Sequence, residues 1–448
     1  MNNLAPELLH MVCGHLQYWD VPAFRLINRD CASVGLEYLV PSVEIHLHRN
    51  SFKAHSFSRL RDISSHPVMS KNVRKLYYDF HAVDSPMKDF ASWKAGAIGA
   101  LKDPNASRLN SQMFENIPVR TRREFELCYS WYQIIMREQA YYLDENMDFH
   151  VLRHAIPNLT NLKKIIINTY DQLYRSDLYD RIGPWHYTLG EFPHNEIKPP
   201  GVRQLDSLLL AVASSKIKLR KLRAGLLSWS WFCSPLFVSQ RDQITRACES
   251  LTSLHLVMSC LGDQHHGEQA PECYQFLSKS GAIRSFLAKL RHLESLKLKF
   301  DRTNIWGGRR FPARLSHLIE DGFVWPKLKK LELGGFQTSE PRLFRLLEAH
   351  ASTLRVFGLQ VEVQLDAGGS WYSLLHGMKS MLKLEETRIH GTLETRPSVN
   401  NFGEHWHVSD RQYEYRLGNI WAGELEDYLV RGGPFPLTDD NMTPIRFR

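Results

Sequence analysis

Cys260, His265, His266 and Cys273 form the densest group of potential metal ligands in the chain. A structural zinc needs Cys or His ligands paired at close spacing, and this spacing matches no zinc module. The seven cysteines, Cys13, Cys31, Cys128, Cys233, Cys248, Cys260 and Cys273, are odd in number and include no C-x-x-C. Several fall on apolar helical faces. That points to reduced, buried thiols and to a cytoplasmic or nuclear compartment. The chain has no G-x-S-x-G elbow and no phosphate loop ending in Gly-Lys-Ser/Thr, and Gly307-Gly308 is a lone glycine pair. No catalytic residue, metal or cofactor is therefore expected, and an enzyme is the least supported class.

Arginines cluster at Arg120, Arg122 and Arg123 and again at Arg302, Arg309, Arg310 and Arg314, within 448 residues of net charge +8. Nucleic-acid binding would want a denser basic stripe interleaved with aromatics. Hydrophobic residues at 43% and charged residues at 23% give the balance of a globular chain. The longest apolar run, Leu208-Leu209-Leu210-Ala211-Val212-Ala213, is too short to span a membrane. No basic region and apolar core of a signal peptide open the chain, so no membrane partner is expected.

Recognition rather than catalysis then has to come from the scaffold, which the stretch Leu4 to Val40 opens. Pro6 and Glu7 suit the first turn of a helix, where a missing N–H costs nothing and a carboxylate meets the positive end of the dipole. Leu8, Leu9, Val12, Cys13 and Leu16 follow at helical spacing. Asp20 and Pro22 mark the start of a second helix, with Phe24, Ile27, Cys31 and Val34 along one face and Leu26 off it. Two helices of about twelve residues bury too little apolar surface to stand alone. They either cap the domain behind them or are completed by another protein.

Behind them, Val43 to Leu47 alternates as a strand, Ser51 to Ser65 has helical spacing, and Val73 to Tyr78 is a second strand. Strand, helix and strand make a βαβ unit with parallel strands. A Leu-x-x-Leu-x-Leu theme then recurs from Leu162, Leu219, Leu251, Leu293, Leu328, Leu354 and Leu384. Its steps of about 57, 32, 42, 35, 26 and 30 residues describe an irregular leucine-rich repeat. In such a repeat the leucines point into the core and the residue between the last two points to the open face, so successive repeats stack into a curved solenoid. Helical stretches at Gln204 to Ser214, Cys273 to Leu290 and Arg342 to Ala351 would form the outer layer.

Loop-like insertions are expected near residues 84–130, 170–200 and 301–312. Long loops on a regular scaffold often carry binding. Aromatic and arginine side chains make good anchors, so Trp185, Tyr187, Trp306, Arg309 and Arg310 are the candidate target contacts, against the alternative that they pack on the rim. After Pro397 the leucine pattern stops, and Asp410 to Arg431 has the spacing of a capping helix. The expected organisation is a helical module at 1–40, a repeat domain at 41–396 and a cap and tail at 397–448.

Leu4-x-Pro6-Glu7-Leu8-Leu9-x-x-Val12-x-x-x-Leu16, followed by Asp20-Val21-x-x-Phe24-Arg25-Leu26-Ile27-Asn28-Arg29, resembles the F-box. Ala5 stands where that family usually places its proline. With the repeat, the whole chain resembles fungal F-box proteins with a leucine-rich-repeat-like C-terminal domain. The resemblance implies an α/β fold: F-box helices followed by a solenoid with parallel strands. It also implies a substrate receptor of a ubiquitin ligase, bound to a Skp-type adaptor and through it to cullin, with a protein substrate on the solenoid. By the same resemblance Leu4, Pro6, Leu8, Leu9, Val12, Leu16 and Leu26 would be the adaptor-binding residues. The alternative is a leucine-rich-repeat scaffold with no ligase function.

Overall fold

The structure, a computed structural model, describes residues 4–17, 19–46, 56–79, 89–93, 122–167, 201–260, 270–300, 311–397, 403–409 and 419–436. It divides into two compact units, Met1–Ile217 and Lys218–Arg448.

In the first unit the opening stretch makes three helices rather than two: α1 (Pro6–His15), α2 (Val21–Arg25) and α3 (Arg29–Leu36). Asn28 causes the extra break. Its backbone is extended, and its side chain accepts a 2.8 Å bond from the Cys31 N–H, so it ends one helix and caps the next. Asp20 sits at the start of α2 without capping it through its side chain. Leu9, Cys13, Val21, Phe24, Cys31 and Val34 close a core among the three helices. The Tyr38 hydroxyl donates to the His10 carbonyl at 3.2 Å and pins α1 to the segment after α3.

The rest of this unit is β1 (Ser42–His46), α4 (Ser56–Ser65), α5 (Met69–Asn72), β2 (Lys75–Asp79), α6 (Arg122–Asp144), α7 (Met147–Ala155), β3 (Lys164–Ile167) and α8 (Val202–Ala213). Residues 122–130, expected as part of an insertion, lie in α6. The three strands pair in parallel, β1 with β2 and β2 with β3. Helix α7 packs against both α4 and α8. At its start Asp148 is fully buried, and it accepts from Arg203 Nη2 at 2.5 Å and from the Tyr78 hydroxyl at 3.3 Å. Burial pushes the Asp148 carboxyl up, against the pull of the guanidinium.

The second unit repeats strand and helix. Its elements are β4 (Lys221–Ser228), α9 (Pro235–Ser239), α10 (Arg241–Cys248), β5 (Ser253–Ser259), α11 (Ala270–Ser280), α12 (Ala282–Lys289), β6 (Ser295–Phe300), α13 (Leu315–Leu318), β7 (Lys330–Thr338), α14 (Glu340–Ala349), β8 (Val356–Leu365), α15 (Trp371–Met381), β9 (Glu386–Ile389), β10 (Gly391–Thr395), β11 (His405–Ser409), β12 (Asn419–Trp421) and α16 (Ala422–Glu426). Strands β4 to β8 pair in parallel with their sequence neighbours. Strand β8 then serves two partners, β9 along its first half and β10 along its second. Strand β11 runs antiparallel to β10, and β12 pairs with β11 alone among the described strands.

The repeat leucines behave as their spacing requires. Leu251, Leu254 and Leu256 are buried, as are Leu293, Leu296 and Leu298, while the residues between the last two of each are half-exposed. Gly334 and Gly335 interrupt this alternation in β7. A Cβ on Gly334 would lie 2.0 Å from the Gln360 carbonyl oxygen, and Gly335 has φ +73°, so the pairing shifts there by a bulge. The stretch expected as one helix from Cys273 to Leu290 is split at Gly281, whose φ is +57°. The tail departs most from expectation. Where one helix was expected from Asp410, the described part holds β12, α16 and a π turn at Asp427–Arg431.

Three histidines in this unit are held neutral. His350 bridges the Leu346 carbonyl (2.8 Å) and the Trp325 N–H (3.0 Å), which requires Nδ1 to donate and Nε2 to accept. Burial lowers its affinity for a proton. Burial likewise brings His317 down to about 4 and, with the neighbouring Lys297 and Arg223 charges, His255 down to about 3. All three bind a proton more readily when unfolded. Their contribution to stability is full above the ordinary histidine pKa of about 6.5 and drains away as pH falls below it. The thermal midpoint is expected to drop between about pH 7.5 and about pH 5. A midpoint flat across that range would contradict the neutral assignment.

Candidate functional site

Two surfaces stand out, one on each unit. On the helix trio the inward apolar positions are already satisfied, yet the outside is apolar as well. Leu8 is 47% exposed, Met11 62%, Trp19 61% and Leu26 88%, and Leu4, Val12 and Ile27 are exposed too. Scattered exposed leucines are ordinary, but this many within about twenty-five residues of a small helical module make it the candidate interaction surface of the first unit.

The seven residues expected at an adaptor contact separate into two groups. Leu4, Pro6, Leu8, Val12 and Leu26 are on the outside. Leu9 is 1% exposed and belongs to the core, and Leu16 is half-buried against that core. Leu8 and Leu9 are neighbours in sequence, so a helix turns them about 100° apart and they cannot share a face. Met11, Trp19 and Ile27 complete the outer apolar set. Met11 was legible at three residues from Leu8. Ile27 lies outside because the break at Asn28 takes it off the face that the spacing of one continuous helix predicts.

On the second unit the half-exposed face of the sheet is polar. Strand register places Arg223, His255, Lys297, Glu332, Gly358 and Arg388 in one row across β4 to β9. Glu332, although 1% exposed, contacts Lys297 Nζ at 2.8 Å, Lys330 Nζ at 2.7 Å and Arg388 Nη1 at 3.1 Å. Burial opposes its ionisation, but the bonds from Lys297 and Lys330 outweigh that and hold the carboxyl down at about 2. Further along, Gln337 donates to Gln364 at 2.6 Å, Gln364 donates to Glu394 at 3.3 Å, and His405 Nδ1 lies 2.9 Å from Glu394. With Glu332 ionised near neutral pH, Lys297, Lys330 and Arg388 gather round one carboxylate in an ion-pair network within the sheet. The residues forming the row are those between the repeat leucines, a signal that was present in the sequence but spread over about 170 positions.

Trp185, Tyr187, Trp306, Arg309 and Arg310 lie outside the described residues, as do His265 and His266. Cys260 and Cys273 are buried beside one another, and burial pushes the Cys273 thiol up. Among the described residues no group of three or more His, Cys, Asp or Glu could hold a metal ion, and no helix is long and apolar enough to cross a membrane. No family model matches the chain, and no curated protein matches it.

Proposed function

We propose that this chain is the non-catalytic receptor subunit of a Skp-cullin-F-box type ubiquitin ligase. The helix trio at residues 4–36 would dock on a Skp-type adaptor. The parallel strands and their intervening helices would act as an irregular leucine-rich-repeat-like solenoid that holds a protein target. One observation carries the reading: the trio closes its own core and still presents Leu4, Leu8, Met11, Val12, Trp19, Leu26 and Ile27 to solvent. A module that only capped the domain behind it would turn such residues inward. The motif's resemblance to the F-box supports the same reading. A receptor of this type breaks no bond. It raises the local concentration of target lysines near a charged conjugating enzyme.

The test is co-purification with a Skp-type adaptor, for the full chain and for a chain lacking residues 1–40. Binding by the full chain alone is the expected result. If neither form binds, the receptor reading fails and a scaffold without ligase function takes its place.

A further inference from the structure

We infer that the outer face of helix α6 is an interface between two copies of this chain, packed antiparallel about Ile134. The proposal goes beyond the receptor reading and does not depend on it.

Helix α6 is 23 residues long. It packs against α7, and the ring of its Tyr142 stacks on Phe57 of α4 at 4.8 Å. A separate face carries Leu127, Ile134 and Tyr141, which are 59%, 36% and 54% exposed. These three recur every seven residues. A straight helix drifts only about 20° over seven residues, so they form one apolar line. Arg123, Ser130, Arg137 and Asp144 are exposed too, and they fall between and beyond the three at steps of three and four. Arg123, Leu127, Ser130, Ile134, Arg137, Tyr141 and Asp144 therefore make one seam in which polar and apolar side chains alternate. That spacing is the one by which two helices pack along each other.

The polar members of the seam select the occupant. Arg123, Arg137 and Asp144 have no ion pair among the described residues. In a two-fold antiparallel pair centred on Ile134, that residue meets its own copy, and Leu127 meets Tyr141 of the second copy. Arg123 then falls opposite Asp144 of the second copy, twice by symmetry. Arg137 falls opposite Ser130, whose hydroxyl donates to the Glu126 carbonyl at 2.9 Å and keeps its lone pairs for a guanidinium. A parallel pair in register would instead set Arg123 on Arg123 and Arg137 on Arg137, and like charges facing each other disfavour it. The face is thus complementary to itself reversed. From Arg123 to Asp144 the seam is about 32 Å long and one helix, about 10 Å, wide. This is less surface than a permanent dimer buries, so association is weak and reversible and a single copy stays folded.

The test is sedimentation velocity of the full chain from about 1 to about 200 µM, a range suited to a small interface. A reversible monomer–dimer equilibrium that weakens as salt rises is expected. Leu127→Glu puts a carboxylate into the apolar line and should weaken the dimer at least about a hundredfold. Arg123→Glu should weaken it about tenfold, because two attractions become two repulsions. Adding Asp144→Arg to Arg123→Glu should restore the dimer to within about twofold of the unaltered chain. Both reversals suit the helix dipole, with a carboxylate at the N-terminal end and a guanidinium at the C-terminal end, so neither weakens α6 itself. A chain that stays monomeric over the whole range overturns the proposal and leaves the face to a different protein. A dimer that Leu127→Glu leaves intact, or one that the paired reversal fails to restore, overturns it as well.

Discussion

Leu8→Asp combined with Val12→Asp is expected to abolish co-purification with a Skp-type adaptor while leaving the chain folded. Both side chains are exposed, at 47% and 39%, so the free protein tolerates a carboxylate at either position. In a closed apolar interface each aspartate would lose its water without gaining a partner, at a cost of several kcal/mol per charge. Affinity should fall by more than about a hundredfold, since every 1.4 kcal/mol is a factor of ten. The choice of Val12 over Leu9 matters. Leu9 is buried among the three helices, so a charge there would unfold the module and mimic a lost contact. Retained adaptor binding by the Leu8/Val12 double variant would remove these residues from any docking surface.

The second large effect concerns the first unit. Asp148→Ala is expected to lower stability by about 3–5 kcal/mol, because it takes the carboxylate from a nearly buried Arg203 guanidinium and leaves it the neutral Asn146 oxygen. The Tyr78 hydroxyl loses its acceptor at the same time. Adding Arg203→Met should recover most of the loss, since replacing both members of a buried pair by apolar groups is far less costly than removing one. Urea unfolding of the single and double variants measures this. A double variant no more stable than the single one would mean that the pair is not the source of the effect. Adaptor binding should be unaffected in both, because Asp148 and Arg203 are outside the helix trio.

Much of the scaffold was legible because the repeat writes a core into a short string. The strands at Leu162, Leu219, Leu251, Leu293, Leu328, Leu354 and Leu384 all formed, as did those at Val43 and Val73, since leucines two apart on a strand share a face. The misses have local causes. Asn28 ended a helix that apolar spacing alone would have continued, because its side chain competes for backbone donors. That break moved Ile27 from the inside to the outside. Strand β11 was hidden in the tail although His405-Trp406-His407-Val408-Ser409 alternates with period two and buries Trp406 and Val408. The charged row was only half legible, for a different reason. Each member is an unremarkable surface residue in its own repeat, and only register brings them together.

The end of the sheet in the second unit has a consequence for assembly. An edge strand shows unpaired backbone donors and acceptors, and a second molecule can use them as a template for its own strand. Here the parallel series gives way to an antiparallel step between β10 and β11, and β12 then offers three residues before α16 begins at Ala422. Cross-β growth draws on segments of about six residues, twice that length. Among the described strands the sheet therefore ends on this side with a strand too short to template such growth.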